Sequence, residues 1–328
     1  MEQARQLMRE SLVWENHACM PVRAGDTDFL PQLQRLRDLG VNLVILNISF
    51  DHHPWHHGFR MLATFRQWLQ QHDADYLLVQ TVDDIARARE SGRLGVCFDL
   101  EGAVAVDDMA ALVEPYYALG VRWMLLAYNR NNRLGGGCQD DDTGLTAFGR
   151  EVIDEMQRVG MVLCCSHTGH RTVRDAIEYS SNPVIFSHSN AAAVHAHERN
   201  IPDDLIRACA ASGGVVNING VGDFLGENDA SSATYVRHVQ HVADLVGPEH
   251  VGIGLDFVYD MRELDDYLVA NPELFPPEKG YAAGKLNFVA PEQLPEIVDL
   301  LMRNGWDDAA LRGFLGENNL RVAKAVWR

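Results

Sequence analysis

The sequence predicts an α/β fold that closes as a (β/α)8 barrel with C-terminal helices. Short apolar and β-branched runs bounded by Gly or Pro alternate with segments in which apolar residues recur at helical spacing. Continuous apolar runs of this kind are typical of parallel strands that are buried on both faces. Eight such strand–helix units occur in the 328 residues, and eight units in about 250 residues or somewhat more are typical of a TIM barrel.

The predicted strands differ in how clearly they are bounded. The first is mixed in composition, whereas the second is the clearest parallel-type run of the N-terminal half. The fifth and sixth are near-copies, because each starts at Gly or Pro and ends in Ser-His. The strands are predicted at 13–20, 41–48, 94–100, 121–127, 160–167, 183–188, 215–218 and 251–255.

The predicted helices fill the intervals between these strands. The first ends at Gly40, a residue type that often terminates helices. Two helices separate the second and third strands, so this connection is longer than a minimal crossover. The helices are predicted at 29–38, 59–71, 82–91, 108–118, 146–158, 172–179, 202–212 and 235–246, with C-terminal helices at 291–304 and 307–314.

A doubly wound open sheet would show the same alternation of strands and helices. It has less support, because no Gly-x-Gly-x-x-Gly turn follows the first predicted strand. No Pro- or Ser-rich linker and no change in composition divides the chain, so we expect residues 1–328 to form a single domain.

Polar residues end five of the predicted strands. In a barrel the C-terminal ends of all strands meet on one face, where catalytic residues of this fold are placed. Imidazole, thiolate and carboxylate groups are the ligands of zinc and similar divalent ions, and one carboxylate can bridge two metals. The candidates for a metal site are His17 and Cys19 of the first strand, Glu101 of the third, His167 of the fifth, His188 of the sixth and Asp256 of the eighth.

Each candidate also has a structural interpretation when it is considered alone. A single His at a strand end is more often hydrogen-bonded within the core than bound to metal. Cys19 is consistent with a small buried side chain, and Asp256 with a helix or loop cap. Glu101 differs, because a carboxylate between apolar residues is costly to bury without a cation nearby. The joint placement, rather than any single spacing, supports the metal site.

The composition indicates a globular protein with an acidic exterior. Apolar residues make up 47% of the chain, and 28 basic against 46 acidic residues give a net charge of −18. We therefore expect no nucleic acid or membrane partner. The sequence contains neither a signal-peptide core nor a run long enough to cross a bilayer, so a cytoplasmic protein with its six cysteines reduced is expected.

Several short motifs follow one another from about Asn16 to the C-terminus. They are Gly149-Arg-Glu-Val-Ile-Asp-Glu-Met156, Gly160-Met161 with Ser166-His167, Pro183-Val-Ile-Phe-Ser-His-Ser189, Arg199-Asn-Ile-Pro-Asp203, Gly213-Gly-Val-Val216, His250-Val-Gly-Ile-Gly254 with Asp256, Asn287-Phe-Val-Ala-Pro-Glu292 and Asn319-Leu-Arg-Val322. In this order they resemble the membrane dipeptidase (renal dipeptidase) family of the metal-dependent amidohydrolase superfamily. The number of motifs in one order makes the resemblance specific.

The resemblance implies a TIM barrel with two zinc ions that hydrolyses dipeptides, often with a D-residue at the C-terminal position. By position, His17 would bind the first metal and Glu101 would bridge both. His167 and His188 would bind the second metal. The implied reaction is attack of a metal-activated water on the amide carbonyl.

The resemblance also implies roles for two charged residues and an assembly state. Arg199 matches the arginine that receives the substrate carboxylate, although taken alone it is consistent with an exposed charge at a helix entry. Asp256 matches a carboxylate that acts in proton transfer. The family further implies a homodimer.

Three positions depart from the family pattern. The family carries His-x-Asp in its first strand, where this chain has Cys19 as the second ligand candidate. A histidine that contacts the substrate ends the family's fourth strand, where this chain has Tyr128. A phenol donates one hydrogen bond but is not a cation near neutral pH. The Asp-Phe-Asp-Gly after the eighth strand is Asp256-Phe-Val-Tyr259 here, so one of the two carboxylates is lost.

Three hypotheses follow. The first is a zinc-dependent hydrolase that cleaves the amide of a dipeptide or similar small carboxylate-bearing substrate. The second is a metal-free protein on the same barrel that binds a small molecule through Arg199. The third is a hydrolase with one metal, bound on the side of His167 and His188.

Two further groups of residues are weaker indications of a functional role. The loop 51–57 contains four histidines and is interpreted as a solvated loop, since His pairs without a Cys or carboxylate frame are weak metal signals. Four aromatic residues, Trp55, Tyr128, Phe224 and Tyr259, are interpreted either as ordinary packing or as a lining for a cationic or apolar substrate.

Overall fold

The computed structural model describes residues 1–328 and confirms the α/β barrel. Its strands are all paired in parallel. Around the sheet they follow the order β10-β1-β2-β4-β5-β6-β7-β8-β9, with β3 paired to β4. The strands are β1 Trp14–Cys19, β2 Leu43–Phe50, β3 Tyr76–Leu78, β4 Leu94–Glu101, β5 Val121–Leu125, β6 Val162–Cys164, β7 Ile185–Phe186, β8 Val215–Ile218, β9 Val251–Ile253 and β10 Phe257–Val258.

The barrel closes through a strand that is broken in the middle. β9 pairs with β8, and β10, which follows β9 in the chain, pairs with β1. Together they occupy the eighth position of the barrel. The amide of Asp256, in the break, donates to the carbonyl of His17 (3.0 Å) and so joins the last barrel position to the first.

Helices surround the sheet, and none of them combines the length and apolar character needed to cross a bilayer. The α-helices are α1 Glu2–Glu10, α2 Gln34–Asp38, α3 His57–Gln71, α4 Val82–Ser91, α5 Val113–Ala118, α6 Ala147–Val159, α7 His170–Tyr179, α8 Asp203–Ala211, α9 Gly222–Leu225, α10 Ser232–Val246, α11 Met261–Ala270, α12 Leu294–Arg303, α13 Asp308–Arg312 and α14 Asn318–Val326. Short 3₁₀ helices lie at Leu30–Leu33, Ala103–Val106, Ala110–Leu112, Pro248–His250, Pro277–Lys279 and Pro291–Gln293, and a π-helical turn at Gly313–Glu317.

The ends of α4 illustrate how local sequence sets a boundary. The Thr81 side chain accepts from the amide of Asp84, whose own carboxylate accepts from the amide of Thr81. This reciprocal pair satisfies amides that the first helical turn leaves free. Gly92 ends the helix in the left-handed region (φ 68°), where glycine carries no steric penalty.

Several elements differ from the prediction. The predicted strand 183–188 is reduced to β7, because the amide of His188 donates to Ser166 Oγ (3.1 Å) instead of continuing the ladder. The predicted strand 251–255 is shortened to β9, and β10 follows it as a separate strand. The predicted helices 29–38, 108–118 and 291–304 contain 3₁₀ turns before their α-helical parts. The sequence pattern did not predict β3, β10, α1, α9, α11 or α14.

Apolar side chains form two layers around the strands. One lies between the sheet and the helices and includes Leu46, Phe98 and Val216. The other fills the barrel interior and includes Trp14 and Trp123. Because an eight-stranded barrel is filled by its own side chains, a binding site can form only at one of its ends.

A β-bulge in β1 changes the direction of its side chains. Between Glu15 and Ala18, three steps along β1 oppose two steps along β2. Trp14 packs inside the barrel, whereas Ala18 packs in the outer layer. Strict alternation would place both on the same face, so the bulge has shifted the alternation. His17, the predicted histidine ligand of this strand, lies within the bulge.

The segment after the barrel's last strand covers the C-terminal end of the barrel. We call residues 261–288, which contain α11, the cover segment. Its apolar side chains pack with Val221 and Phe224 in a small cluster that is separate from the two main layers. The buried members that the cover segment supplies are Leu268, Phe275 and Tyr281.

Candidate active site

The six predicted strand-end residues come together at the C-terminal end of the barrel. They come from strands around the whole ring. His17 and Cys19 belong to β1, Glu101 ends β4, His167 and His188 follow β6 and β7, and Asp256 lies between β9 and β10. Every candidate ligand in the sequence therefore reaches one cluster.

One carboxylate oxygen is the centre of this cluster. Glu101 Oε1 lies 3.4 Å from His17 Nε2, 3.4 Å from His167 Nε2 and 3.2 Å from His188 Nε2. His167 Nε2 and His188 Nε2 are 2.8 Å apart. All four side chains are buried, and Glu101 Oε1 accepts no hydrogen bond. A buried carboxylate oxygen without a donor is costly, so this arrangement favours a cation among the four groups.

The opposite nitrogen of each ring is held by an oxygen. His17 Nδ1 lies 3.1 Å from Asp99 Oδ2, and His167 Nδ1 lies 2.7 Å from Asn129 Oδ1. His188 Nδ1 lies 2.8 Å from the Ser187 hydroxyl. An acceptor at Nδ1 keeps the proton there and directs the Nε2 lone pair toward Glu101. This is how residues around a metal site orient histidine ligands.

A second group overlaps the first at His17. Cys19 Sγ lies 3.5 Å from His17 Nε2 and donates to Asp256 Oδ1 over 3.2 Å. Asp256 Oδ1 is also 3.3 Å from His17 Nε2, while its Oδ2 accepts from Asn219 Nδ2 (2.9 Å). The donor atoms of His17, Cys19 and Asp256 all lie within 4.8 Å of one another, as do those of His17, Glu101 and His188.

The electrostatics of the cluster are dominated by burial. Burial raises the pKa of Glu101 to about 8, although His17 opposes this, and burial also raises the pKa of the Cys19 thiol. Burial, together with the Arg199 guanidinium, lowers the pKa of His167 well below its usual range. Neutral imidazole is the form that binds metal.

His17 is the exception among the histidines. Burial opposes a proton on its ring, yet the carboxylates of Glu101 and Asp99 outweigh burial and raise its pKa well above the usual range. Surroundings that favour a proton also favour a metal cation. The donor set of nitrogen, oxygen and sulfur, the orphaned Glu101 oxygen and this acidic field all fit a divalent metal such as zinc.

The backbone enters the left-handed region shortly after three of the strands. Asn129, His167 and Asp256 have positive φ angles of 60°, 62° and 57°. This region is uncommon for residues other than glycine, although asparagine, aspartate and histidine tolerate it best, and such conformations cluster at functional sites. At each position the turn directs the side chain into the cluster instead of along the strand.

Arg199 adds a buried positive charge beside the histidines. It is 3% exposed, its Nη2 lies 3.0 Å from His167 Nε2, and its guanidinium lies 5.3 Å from the centre of the Phe224 ring. Its Nε has no hydrogen-bond partner. The structure therefore corrects the interpretation of Arg199 as an exposed helix-entry charge, because the side chain is enclosed and retains a free donor.

Tyr128 stacks on His167. Their ring centres are 4.1 Å apart with an interplanar angle of 20°. Burial raises the pKa of the Tyr128 phenol well above its usual range, with the Glu101 carboxylate acting in the same direction. The phenol therefore keeps its proton and remains a hydrogen-bond donor at the cluster.

The residues that hold the ligands were missed by sequence reasoning. Asn and Ser at strand ends are common in turns, so their pattern carries no metal signal. Asp99 does carry one, because it is a carboxylate within an apolar strand and lies two residues before Glu101. The missed residues are Asp99, Asn129, Ser187 and Asn219.

An apolar cavity of about 150 Å³ opens from the cluster. Fifteen of the 22 residues that line it are hydrophobic, and its polar floor includes Glu101, His167 and Asp256. Of the four aromatic residues considered for a lining, Tyr128 and Phe224 line the cavity. Trp55 is exposed and Tyr259 is buried elsewhere.

The histidine-rich loop is more ordered than a solvated loop. His53 stacks on His57 with ring centres 4.0 Å apart, and His52 contacts the edge of the Phe275 ring in the cover segment. Burial lowers the pKa of His52 to about 4 and that of His53 to about 3. Of the four histidines only His56 is exposed and the other three are half-buried, so the interpretation as a solvated loop holds only in part.

Comparison with known proteins connects this arrangement to one family. The family model for membrane dipeptidase (peptidase family M19) matches residues 1–270. An uncharacterised protein of Klebsiella pneumoniae, in the pqqA 5′ region, is 30% identical over 282 residues, which cover 82% of this chain and 96% of that protein. An uncharacterised dipeptidase of Schizosaccharomyces pombe is 33% identical over 269 residues, 79% of this chain, and the match spans only 60% of its length.

Solved structures share the whole fold. An amidohydrolase from Pseudomonas aeruginosa has a TM-score of 0.87 at 27% identity, with 99% of both chains covered. A metallo peptidase from Rhodobacter sphaeroides, liganded with a phosphinate mimic of the dipeptide L-Ala-D-Ala, has a TM-score of 0.75 at 19% identity, with 97% of this chain and 100% of that chain covered. At that identity the second likeness concerns the fold alone.

Proposed function

The chain belongs to the membrane dipeptidase family of metal-dependent hydrolases, and on this premise we propose that it is a zinc-dependent enzyme that cleaves a small amide. The substrate is a dipeptide or a similar small molecule with a free carboxylate. The observation that carries the proposal is Glu101 Oε1, a buried oxygen without a donor that faces the Nε2 atoms of three histidines. A cation at the centre of this arrangement would satisfy the oxygen and the three nitrogens together.

The residues that would hold zinc are those of the two overlapping groups other than Asp256. An imidazole nitrogen binds one metal, so a position shared by two ions falls to Glu101, whose carboxylate has two oxygens. The proposed ligands are His17, Cys19, Glu101, His167 and His188. When bound, zinc supplies an activated water and a Lewis acid for the amide carbonyl.

Asp256 is the proposed acceptor of the proton that the attacking water loses. Burial would raise its pKa, but the neighbouring His188 and His17 outweigh burial and hold it below the usual range. The group is therefore ionised. Because Asn219 occupies Oδ2, the atom that receives the proton is Oδ1, which faces the cluster.

Arg199 and Tyr128 are the proposed contacts to the substrate. The Arg199 guanidinium is buried with its Nε free, and a substrate carboxylate would satisfy both its charge and this donor. The Tyr128 phenol is a neutral donor for the oxygen on which negative charge develops. The Rhodobacter sphaeroides protein, which binds a dipeptide mimic, supports a substrate of this size.

Metal content and hydrolysis test the proposal together. Protein expressed with added zinc is expected to hold about one to two equivalents per chain by mass spectrometry, and to hydrolyse dipeptides until a chelator removes the metal. Glu101→Gln should lose most of the bound zinc, whereas Glu114→Gln on the protein surface should not. Less than about half an equivalent in the unaltered protein would sink the proposal.

The alternatives give different results in the same experiment. Metal-free protein that still binds a carboxylate through Arg199 would support a small-molecule-binding protein. One equivalent that survives Cys19→Ala would support a single metal on the side of His167 and His188. The double site instead requires a second equivalent that depends on His17 and Cys19.

A further inference from the structure

Most residues of the apolar cavity wall lie across the histidine cluster from Arg199, whereas Arg199 itself adjoins the cavity at His167 and Phe224. Much of the cavity wall comes from the ends of β1, β2 and β10 and from α11, and it includes Met20, Phe50, Leu264 and Tyr267. Arg199 instead lies in the connection between β7 and α8. In the ring of eight barrel positions, the position of β7 is opposite that of β2. A substrate held by its carboxylate at Arg199 would therefore extend across the cluster into the apolar cavity.

We infer that the site takes an amide with a bulky apolar group on its acyl side and a carboxylate on its amine side. This inference rests on the proposed function. With the carboxylate at Arg199 and the amide carbonyl over Glu101, the acyl part is the portion that reaches the cavity. The cavity is continuous with the reacting centre, because Glu101, His167 and Asp256 form its floor.

The wall offers no free charge for a charged side chain. Asp260 Oδ1 accepts from the amides of Arg262 and Glu263 at the start of α11. The Arg23 guanidinium pairs with the Glu263 carboxylate, and its Nη1 lies 3.9 Å from Asp260 Oδ2. The two remaining carboxylates, Glu101 and Asp256, belong to the cluster. A lysine or aspartate side chain on the acyl side would therefore lose its hydration without a partner.

The size of the cavity suits an aromatic or branched aliphatic group. An apolar cavity of about 150 Å³ lined by aliphatic and aromatic side chains holds a benzene-sized molecule. Two sources share this chemistry, namely a dipeptide with Phe or Leu at its N-terminus and an amino acid that carries an apolar N-acyl group. The difference between them is the free ammonium group.

Turnover of matched substrates tests the inference on the full, metal-loaded chain. We expect kcat/KM for Phe-Ala to exceed that for Gly-Ala by at least about tenfold, with Lys-Ala no better than Gly-Ala. Phenylpropanoyl-alanine, which is Phe-Ala without its ammonium group, distinguishes the two sources. Gly-Ala or Lys-Ala cleaved as well as Phe-Ala would overturn the inference.

Two variants of one helix provide the matched control. Leu264 lines the cavity, whereas Val269 of the same helix is 71% exposed. Leu264→Asp should lower kcat/KM for Phe-Ala at least about tenfold and leave that for Gly-Ala within about threefold. Val269→Asp should change neither. Equal effects of Leu264→Asp on both substrates would contradict the assignment of this wall.

Binding without turnover separates this inference from the proposed function. Calorimetric titration compares phosphinate dipeptide mimics that carry a benzyl or a methyl group on the acyl side. Tighter binding of the benzyl compound without hydrolysis of any amide would uphold the inference and count against the hydrolase. Equal binding, or none, would overturn the inference itself.

Discussion

Cys19 stands where the family pattern has an aspartate. Burial raises its pKa, so an isolated thiol at this position would stay protonated and would be a poor ligand. Its sulfur nevertheless points at His17 Nε2 and at Asp256 Oδ1. A bound cation would favour the thiolate form of Cys19 over the thiol, because it interacts with the negative charge directly.

Replacement of Cys19 tests whether it is a ligand. We expect Cys19→Ala to remove about one of two zinc equivalents, and Cys19→Asp to retain both, because aspartate restores a charged oxygen ligand. Mass spectrometry of the dialysed proteins gives the metal content. Unchanged zinc in Cys19→Ala would show that Cys19 is not a ligand.

Asp99 is expected to set the zinc affinity without contacting zinc. It holds Nδ1 of His17, and loss of such a partner typically weakens metal binding by about 10- to 100-fold. Asp99→Ala should show this weakening in a titration against a chromogenic chelator. Asp108→Ala, on the surface, serves as the control. An affinity equal to that of the control would contradict the role of Asp99.

At the scale of elements, Glu15 joins the first and last positions of the barrel. Its Oε1 accepts from the amide of His17 in the bulge of β1 (3.1 Å) and from the amide of Leu255 in the break before β10 (2.8 Å). Burial raises its pKa to about 8, so the group is largely neutral at pH 7. Both irregular stretches that carry site residues therefore depend on this one oxygen.

Glu15 substitutions test the contribution of this side chain to the barrel closure. Glu15→Ala leaves two buried amides without an acceptor and should lower the free energy of unfolding by at least about 2 kcal/mol. Glu15→Gln keeps both the volume of the side chain and an accepting oxygen, and should cost much less. Denaturant unfolding measures both variants. Equal losses would contradict the prediction, because glutamine retains what alanine removes.

Asp51 connects three loops at the mouth of the barrel. Its carboxylate accepts from the amides of Val104 and Tyr128 and from Asn132 Nδ2. Burial nevertheless raises its pKa from 3.8 to about 6. The folded protein therefore holds this proton more tightly than the unfolded chain does.

This difference makes a prediction about pH. The stability that the Asp51 proton contributes is fully present below about pH 4 and is lost as the pH rises through about 6. The free energy of unfolding of the unaltered protein relative to Asp51→Asn should fall by about 2 kcal/mol over this interval. Denaturant unfolding at several pH values measures it. A constant difference would contradict the raised pKa.

The elements that the sequence predicts best are those with local causes. Strand 215–218 is confirmed with the same bounds, because its apolar run is bounded by turn residues. The division of the last strand is not predictable, since it depends on Glu15, more than two hundred residues earlier in the chain. The cover segment is missed for a similar reason. The apolar residues of α11 become a recognisable face only against the barrel that they cover.

At the scale of the molecule, a bound metal would cross-link strands that lie far apart in the chain. Its proposed ligands come from β1 and β4 and from the turns after β6 and β7. A metal that binds the folded chain alone at about a thousand times its dissociation constant adds about 4 kcal/mol to the free energy of unfolding. Chelation should therefore lower Tm by roughly 6 °C, and zinc should restore it. An unchanged Tm in scanning calorimetry would contradict a structural contribution of the metal.

The sequence also locates the site as a whole. Once the order and direction of the strands are predicted, the polar residues at their C-terminal ends must lie on one face of the barrel. All six strand-end residues meet, as expected, and Arg199 joins them. The residues that hydrogen-bond to the cluster histidines, such as Asn129, depend on turns whose geometry the sequence does not specify. A single domain, a homodimer and a cytoplasmic location stay predictions. Light scattering at several concentrations would test the homodimer.

The broken eighth position has a consequence for synthesis of the protein. Cys19 and Asp256 touch although they lie 237 positions apart in the chain. A ribosome releases the N-terminal residues first, and contacts of such separation form late because a long loop must close. The growing chain therefore carries His17 and Cys19 without Asp256, and the pocket stays incomplete, for most of its translation. Only docking of the last strand against the first completes it, so the capacity to capture an ion would appear at the final step of barrel assembly.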